Sequence, residues 1–331
     1  MHSASEISHG SKTHNVFLYN MYTVCYKVYH HFCNMSIVFD RFFYVFLLKN
    51  DCFSLEKCFV FTRENPYSRM QVYIFHNLEV FMDNKKKGMN PILPGFYPDP
   101  SICRVNDDYY LVTSTFAYFP GVPIFHSRDL VHWNQIGNIL ERKEQLPLVN
   151  AETSEGIFAP TLRYHDGTFY MITTNVTPTN DINNFIVTAT DPAGPWSDPY
   201  PLDSAGIDPS LFFDDDGKCY YCGTQNRREG SRYFGDNEIY IQELDLNTMK
   251  LVGESYPAWH GALRGVEWPE GPHIYKKDGY YYLLISEAGT GHNHAVSIAR
   301  SKSLTEPFTG HKANPIFTHR QQNHVSASIF Y

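Results

Sequence analysis

Residues 95–112 read GFYPDPSICRVNDDYYLV, with one acidic residue, Asp99, held between two prolines just before a strand-like run. The run SICRV meets a turn rich in Asn and Asp, and a Tyr-rich run returns from it, which is the pattern of a β-hairpin. The same pattern recurs three times. Ala159-Pro-Thr-Leu precedes HDGTFYMITT, Asp208-Pro-Ser-Leu precedes DDGKCYYCGT, and Glu270-Gly-Pro-His-Ile precedes KDGYYYLLIS. The shared tyrosines Tyr110, Tyr170, Tyr220 and Tyr282 recur at about 50 to 60 residues, a period that suits the four-stranded blades of a β-propeller.

Matching positions of successive blades ring the propeller axis, so residues that align in the repeat are expected to face one another there. Asp99, Asp208 and Glu270 align, and only the second copy breaks the series, with Ala159. Three carboxylates drawn from different blades repel one another and raise at least one pKa, an arrangement that usually serves chemistry. Asp-Pro and Glu-Gly-Pro also punctuate turns for purely local reasons. That reading suits any single copy but weakens for three in register.

The 331 residues are 43% hydrophobic, with 24 Tyr and 24 Phe, enough for one large domain or two ordinary ones. A formal charge of −8 argues against nucleic-acid and anionic-membrane partners and favours a neutral polar ligand. Seven cysteines, Cys25, Cys33, Cys52, Cys58, Cys103, Cys219 and Cys222, form no regular framework, which suggests a reducing, cytoplasmic setting. The opening MHSASEISHGSKTHN lacks a basic stretch followed by an apolar one and does not read as a secretory signal, and FFYVFLL at 42–48 is too short to span a bilayer. Cys219 and Cys222 lie on an apparent strand, where residues three apart point to opposite faces, so a metal site is not expected of them. His292 and His294 in TGHNHAV suit a pocket-lining or polar loop role better than a metal site. Asp107, Asp108, Asp166, Asp214 to Asp216 and Asp278 read as solvated turn formers.

Residues 1–88 are a different kind of sequence, rich in Phe, Tyr, His, Asn and Lys, with four of the seven cysteines and neither sustained alternation nor a helical stripe. After DNKKKG comes Met89, where orderly strand and turn signals begin. The expected division is therefore an N-terminal extension, 1–88, and a propeller domain, 89–331. The extension is either non-native sequence ahead of an initiator at Met89 or a genuine accessory segment.

The segments NPILPGFYPDPSICR, STFAYFPGVPIFHSRDLVHW, GIFAPTLRYHDG, GIDPSLFFDDDG and WPEGPHIYKKDGYYYLL closely resemble glycoside hydrolase family 43, in its β-xylosidase and α-L-arabinofuranosidase branches. The resemblance runs from Asn90 to about Arg320 and implies an all-β fold, a five-bladed β-propeller. It implies an inverting glycosidase that releases terminal β-D-xylosyl or α-L-arabinofuranosyl residues from xylo- or arabino-oligosaccharides. Asp99 would be the general base, Glu270 the general acid, and Asp208 the carboxylate that orients and tunes the acid. A negative Asp208 beside Glu270 would keep that acid protonated near neutral pH. Phe116 matches an aromatic that lines the terminal sugar site, and Phe158 stands where relatives often carry Trp or Tyr. Both would stack on a sugar ring, with core packing as their alternative. His294 would join them in the substrate pocket. The resemblance implies no required cofactor and leaves room for a structural cation near the propeller axis.

In QQNHVSASIFY, Ala327-Ser-Ile stands 57 residues after Glu270, where a fifth repeat would begin, so about four blades are expected. The position aligned with a Gly-His-Ala motif of relatives is Ser326, with His324 two residues away. The C-terminal β-sandwich common in the β-xylosidase branch is not seen, and a truncated or frameshifted reading frame would explain both departures. An unfinished ring would expose apolar surface, inviting homo-oligomers, and could leave a weak sugar-binding module in place of an enzyme. A fructan-cleaving propeller also uses three carboxylates, but no Arg-Asp-Pro motif supports it here.

Overall fold

The computed structural model describes four strands between residues 35 and 76, and residues 90–320 apart from 179–182, 264 and 266. The chain divides into two compact units, Met1–Lys87 and Gly88–Tyr331.

In the first unit β1 (Met35–Asp40), β2 (Phe43–Asp51), β3 (Ser54–Thr62) and β4 (Gln71–His76) form one antiparallel sheet in sequence order. The runs MSIVFD, FYVFLLKND, SLEKCFVFT and QVYIFH are rich in β-branched and aromatic residues, which favours strands. Their apolar residues come in blocks rather than alternating, so periodicity does not reveal them. His324, Ser326 and Ala327 lie outside the described residues.

The second unit is built from four sheets, each an antiparallel meander. The first holds β5 (Ser101–Val105), β6 (Asp108–Val112), β7 (Gly121–Ser127) and β8 (Asn134–Leu140). The second holds β9 (Thr161–His165), β10 (Thr168–Thr174), β11 (Asn184–Ala189) and β12 (Tyr200–Leu202). The third holds β13 (Ser210–Phe213), β14 (Cys219–Asn226), β15 (Asn237–Asp245) and β16 (Lys250–Trp259). The fourth holds β17 (Glu270–Lys277), β18 (Tyr280–Glu287), β19 (Ala295–Ser301) and β20 (Thr309–Gly310), with β21 (Phe317–Thr318) also paired to β19. The first strands lie against one another in turn, β5 on β9, β9 on β13 and β13 on β17. This is the propeller arrangement, with four blades among the described residues.

The repeat read in the sequence is the register of these sheets. Tyr110 pairs with Cys103, Tyr170 with Arg163, Tyr220 with Phe212 and Tyr282 with Tyr275. The Glu270 copy is one residue longer between its acid and its first strand, and a β-bulge between Glu270 and His273 takes up the difference. Gly271, at φ +55°, supplies the left-handed residue inside that bulge.

Alternation along each strand sends side chains into two interfaces. Phe169 and Met171 of β10 pack with Val112, Ile124 and Ile139 between the first and second blades, while Tyr170 and Ile172 pack with Leu211 and Tyr221 between the second and third. Ile239 and Ile241 of β15 meet Ile274, Leu283 and Ile285 between the third and fourth. Cys219 and Cys222 fall into different clusters, on opposite faces of β14. Burial pushes the Cys219 thiol up to about 12 and the Cys222 thiol up as well, which leaves both inert as nucleophiles or ligands.

Two acidic residues read as solvated turn formers do structural work instead. Asp108 accepts hydrogen bonds from His126 and Arg128 and so sits below the usual carboxylate range. Asp214 is buried and ties the third blade to the fourth, accepting Lys276 Nζ at 2.5 Å and the Tyr281 hydroxyl at 2.6 Å. Burial alone raises the Asp214 pKa, but these bonds outweigh it and the net shift is downward. A depressed folded pKa gives stability that is present above the unfolded value, near pH 4, and lost as pH falls. Asp214→Asn is therefore expected to cost about 1–2 kcal/mol at neutral pH, with the gap from the unaltered chain narrowing by about pH 3. Urea unfolding at the two pH values checks this, and an undiminished gap at low pH would contradict it.

Candidate active site

Each of the three aligned acids stands where its chain enters the first strand of a blade: Asp99 before β5, Asp208 before β13 and Glu270 at the start of β17. Asp99 and Asp208 both adopt φ +53°, a left-handed backbone that costs a non-glycine residue roughly 1 kcal/mol or more and persists only where its surroundings impose it. The following proline fixes the next residue, so chain direction and carboxylate direction are set together. In the second blade Ala159 holds the matching place and lines a small cleft with Pro160, Thr161, Asp208, Gly271 and His273.

The trio is brought together. Asp208 is 5% exposed and Glu270 8%. Burial, then the neighbouring charges of Glu270 and Asp99, push the Asp208 carboxyl well above its ordinary value. Two facing buried carboxylates titrate as a pair. This pair keeps one proton after an exposed carboxylate has lost its own. The sequence expectation placed that proton on Glu270 beside a negative Asp208; in the free site burial and both neighbouring acids favour a neutral Asp208 as well, so the proton belongs to the pair.

Asp99 is also raised, chiefly by burial. The Ser114 hydroxyl, donating to Asp99 Oδ2 at 2.5 Å, and the nearby His294 pull it back towards its ionised form. Ser114 is itself fixed, its amide donating to the Pro98 carbonyl at 3.1 Å. His294 is buried, with Nδ1–H donated to the Gly289 carbonyl, while His292 is exposed, so the two histidines do not act as a pair.

Buried His273, which lines the same cleft as Asp208, is paired with half-buried Arg163. Arg163 donates to the Leu211 carbonyl at 3.1 Å and to His273 Nδ1 at 2.8 Å, joining the second blade to the third and fourth. Burial first, then Arg163, hold the His273 imidazole down to about 3, so it is neutral with its proton on Nε2.

Phe116 and Phe158 are half-buried and meet edge to face, ring centroids 5.7 Å apart. Phe116 has φ +47°, a real outlier for a bulky residue. Reciprocal backbone bonds with Ile157 at 2.9 and 3.0 Å hold it there. Gly156 is required beside it, because a Cβ would collide with the Phe116 carbonyl. Phe96, three residues before Asp99, extends the row at 5.9 Å from Phe116. Trp268, two residues before Glu270, stacks edge to face with Phe234 on the chain that delivers the third acid. Sequence reading assigned nothing to Phe96, Ser114 or Trp268, although all three lie within or beside the motifs that carry the acids.

Asp208→Asn replaces a carboxyl whose ionisation the fold resists. A raised folded pKa contributes stability that is present below the unfolded value and lost as pH rises through the folded one. The variant is therefore expected to melt above the unaltered chain at pH 8 and level with it at pH 4. Thermal melts at both pH values decide this, and a lower melting temperature at pH 8 would show that ionised Asp208 is stabilised in the fold.

Comparison with known proteins agrees with this geometry. The sequence model of Glycosyl hydrolases family 43 matches residues 89–328. The chain is 66% identical over 234 residues to a xylosidase/arabinosidase of Butyrivibrio fibrisolvens, covering 70% of this chain and 44% of that protein. It is 46% identical over 245 residues to a xylan 1,3-beta-xylosidase of a Vibrio species, covering 72% and 45%. The crystal structure of a xylan beta-1,4-xylosidase from Bacillus halodurans superposes with a TM-score of 0.66 at 47% identity, over 72% of this chain and 46% of that one. The chain thus spans less than half the length of these relatives. With four propeller blades among the described residues, three aligned acids at the entries to their first strands and a family match over most of its length, the chain belongs to glycosyl hydrolases family 43.

Proposed function

We propose that the propeller unit carries the catalytic centre of an inverting, exo-acting glycosidase that releases β-D-xylosyl or α-L-arabinofuranosyl residues from the ends of xylo- or arabino-oligosaccharides. The observation that carries this reading is the trio itself, with Asp208 and Glu270 buried and Asp99 half-buried, in which Asp208 is held well up by burial and by the charges of Glu270 and Asp99. A fold maintains such crowding at a cost in stability, and the chemistry that uses it is proton transfer to a leaving oxygen.

In the proposed reaction the Asp208–Glu270 pair supplies one proton. Glu270 gives it to the glycosidic oxygen as the bond from that oxygen to the anomeric carbon breaks. Asp99 takes a proton from a water that attacks the anomeric carbon on the opposite ring face, so the released sugar has inverted configuration. Asp99 ends protonated and Glu270 ionised, and exchange with solvent restores both. The Ser114 hydroxyl favours ionised Asp99 and so suits it to act as the base. Phe116 and Phe158 offer apolar faces to a sugar ring, with His294 packed close to Asp99. The proposed reaction needs no cofactor.

Glu270→Ala is expected to lower kcat by about 100-fold or more for an alkyl xyloside, whose leaving group needs the proton, and far less for a nitrophenyl xyloside. Asp99→Ala should depress both alike. Initial rates on the two substrates, with a nitrophenyl α-L-arabinofuranoside alongside, test the roles and the sugar together. Equal losses across leaving groups for Glu270→Ala would refute its role as the acid.

A further inference from the structure

The connection from Trp259 to Glu270 carries the chain from the third blade to the fourth and leads through Trp268 to Glu270. Beside its start stands a carboxylate that the reaction above does not use. Glu287, the last residue of β18, has no exposed surface. Its Oε1 accepts the backbone N–H groups of Ala262 and Leu263, and its Oε2 accepts the Ser297 hydroxyl at 2.8 Å. A buried carboxyl group with these donors has both of its oxygens satisfied.

The backbone gives a second, independent sign of the same contact. Gly261 has φ +89°, and a Cβ there would collide with Glu287 Oε1. The residue before the two donated amides is thus bare on the side from which the carboxylate approaches. At the other end of the connection the Ala288 amide donates to the Glu267 carbonyl at 2.9 Å, and the Trp268 amide to the Gly235 carbonyl at 2.8 Å. Glu287 and its neighbour Ala288 therefore hold both ends of the stretch that precedes the third acid. The preceding residue, Ser286, is the sheet partner of Glu270.

We propose that Glu287 is a positioning residue for Glu270: it clamps the 261–263 turn so that the connection presents Trp268 and Glu270 at a fixed height on the axis. Its carboxylate touches neither sugar nor water in the reaction and acts only through the backbone it holds. A one-ångström displacement of an acid from its leaving group can cost about 100-fold in rate, so an anchor on the turn that ends seven residues before Glu270 bears directly on proton donation. This inference rests on the proposed role of Glu270 as the acid.

The test uses the full chain with Glu287→Ala, Glu287→Gln and Gly261→Ala. Amide hydrogen exchange should show Ala262 and Leu263 losing protection in Glu287→Ala and Gly261→Ala, with the strands of all four blades unchanged. Glu287→Gln keeps an oxygen for the two amides and should retain most of that protection. In hydrolysis, Glu287→Ala and Gly261→Ala should lose about 10- to 100-fold in kcat on the alkyl xyloside, much less on the nitrophenyl xyloside, with KM nearly unchanged. Glu287→Gln should stay within about fivefold of the unaltered chain. A purely structural residue would lower the amount of folded protein without a leaving-group bias. Undiminished protection at Ala262 and Leu263 in Glu287→Ala, or equal losses on both substrates, would overturn the proposal. An unaltered chain that hydrolyses neither substrate would instead refute the glycosidase reading, and the exchange data would still decide whether the clamp exists.

Discussion

Like charges brought out of water into one small space repel one another, and the propeller unit is arranged around tolerating that repulsion at Asp99, Asp208 and Glu270. Burial and mutual charge both favour the neutral carboxyl, so the group answers by keeping a proton on the Asp208–Glu270 pair. Asp99 is eased differently, by the hydroxyl of Ser114 and by His294. Asp99 stays raised overall, with those two partners drawing it only part of the way back towards its ionised form, which suits the base role proposed for it.

Propeller geometry makes the crowding hard to escape. Each acid stands at the entry to a first strand whose register is fixed by a hairpin, and a slip of one residue would turn every side chain of that strand to the wrong interface. The fourth blade shows how strictly this holds. Its acid-to-strand segment is one residue longer, and the chain absorbs the surplus in a bulge at Gly271 and leaves the pairing of Tyr275 with Tyr282 intact.

What the sequence makes legible follows from that regularity. The four hairpins, their period and the aligned acids repeat, so they can be found by comparing the chain with itself. The faces of Cys219 and Cys222 follow from strand alternation alone. The partners that fix the site do not repeat. Asp214 looks like any turn aspartate until Lys276 and Tyr281, more than sixty residues on, close over it. Ser114 and Glu287 act on Asp99 and on the Ala262 amide across 15 and 25 residues, through bonds that no local pattern announces. The strands between residues 35 and 76 are hidden for a different reason, since blocks of apolar residues give no period to read.

Part of the strained backbone falls at the same place. Asp99, Asp208, Phe116 and Trp268, all beside the acids or among them, have φ between +47° and +53°. Aspartate tolerates this region better than phenylalanine or tryptophan does, because its short polar side chain can bond locally. The aromatic pair therefore needs outside support, which comes from the Ile157 bridge for Phe116 and from the Gly235 carbonyl for Trp268. Both supports act on the backbone, while the rings themselves pack on other aromatics, Phe116 on Phe158 and Phe96 and Trp268 on Phe234. A site built this way gains little from flexible loops. Its precision comes from glycines that admit close backbone or carboxylate contacts, Gly156 at the Phe116 carbonyl and Gly261 at Glu287, so that the rigidity of the blades reaches the connections that carry the chemistry.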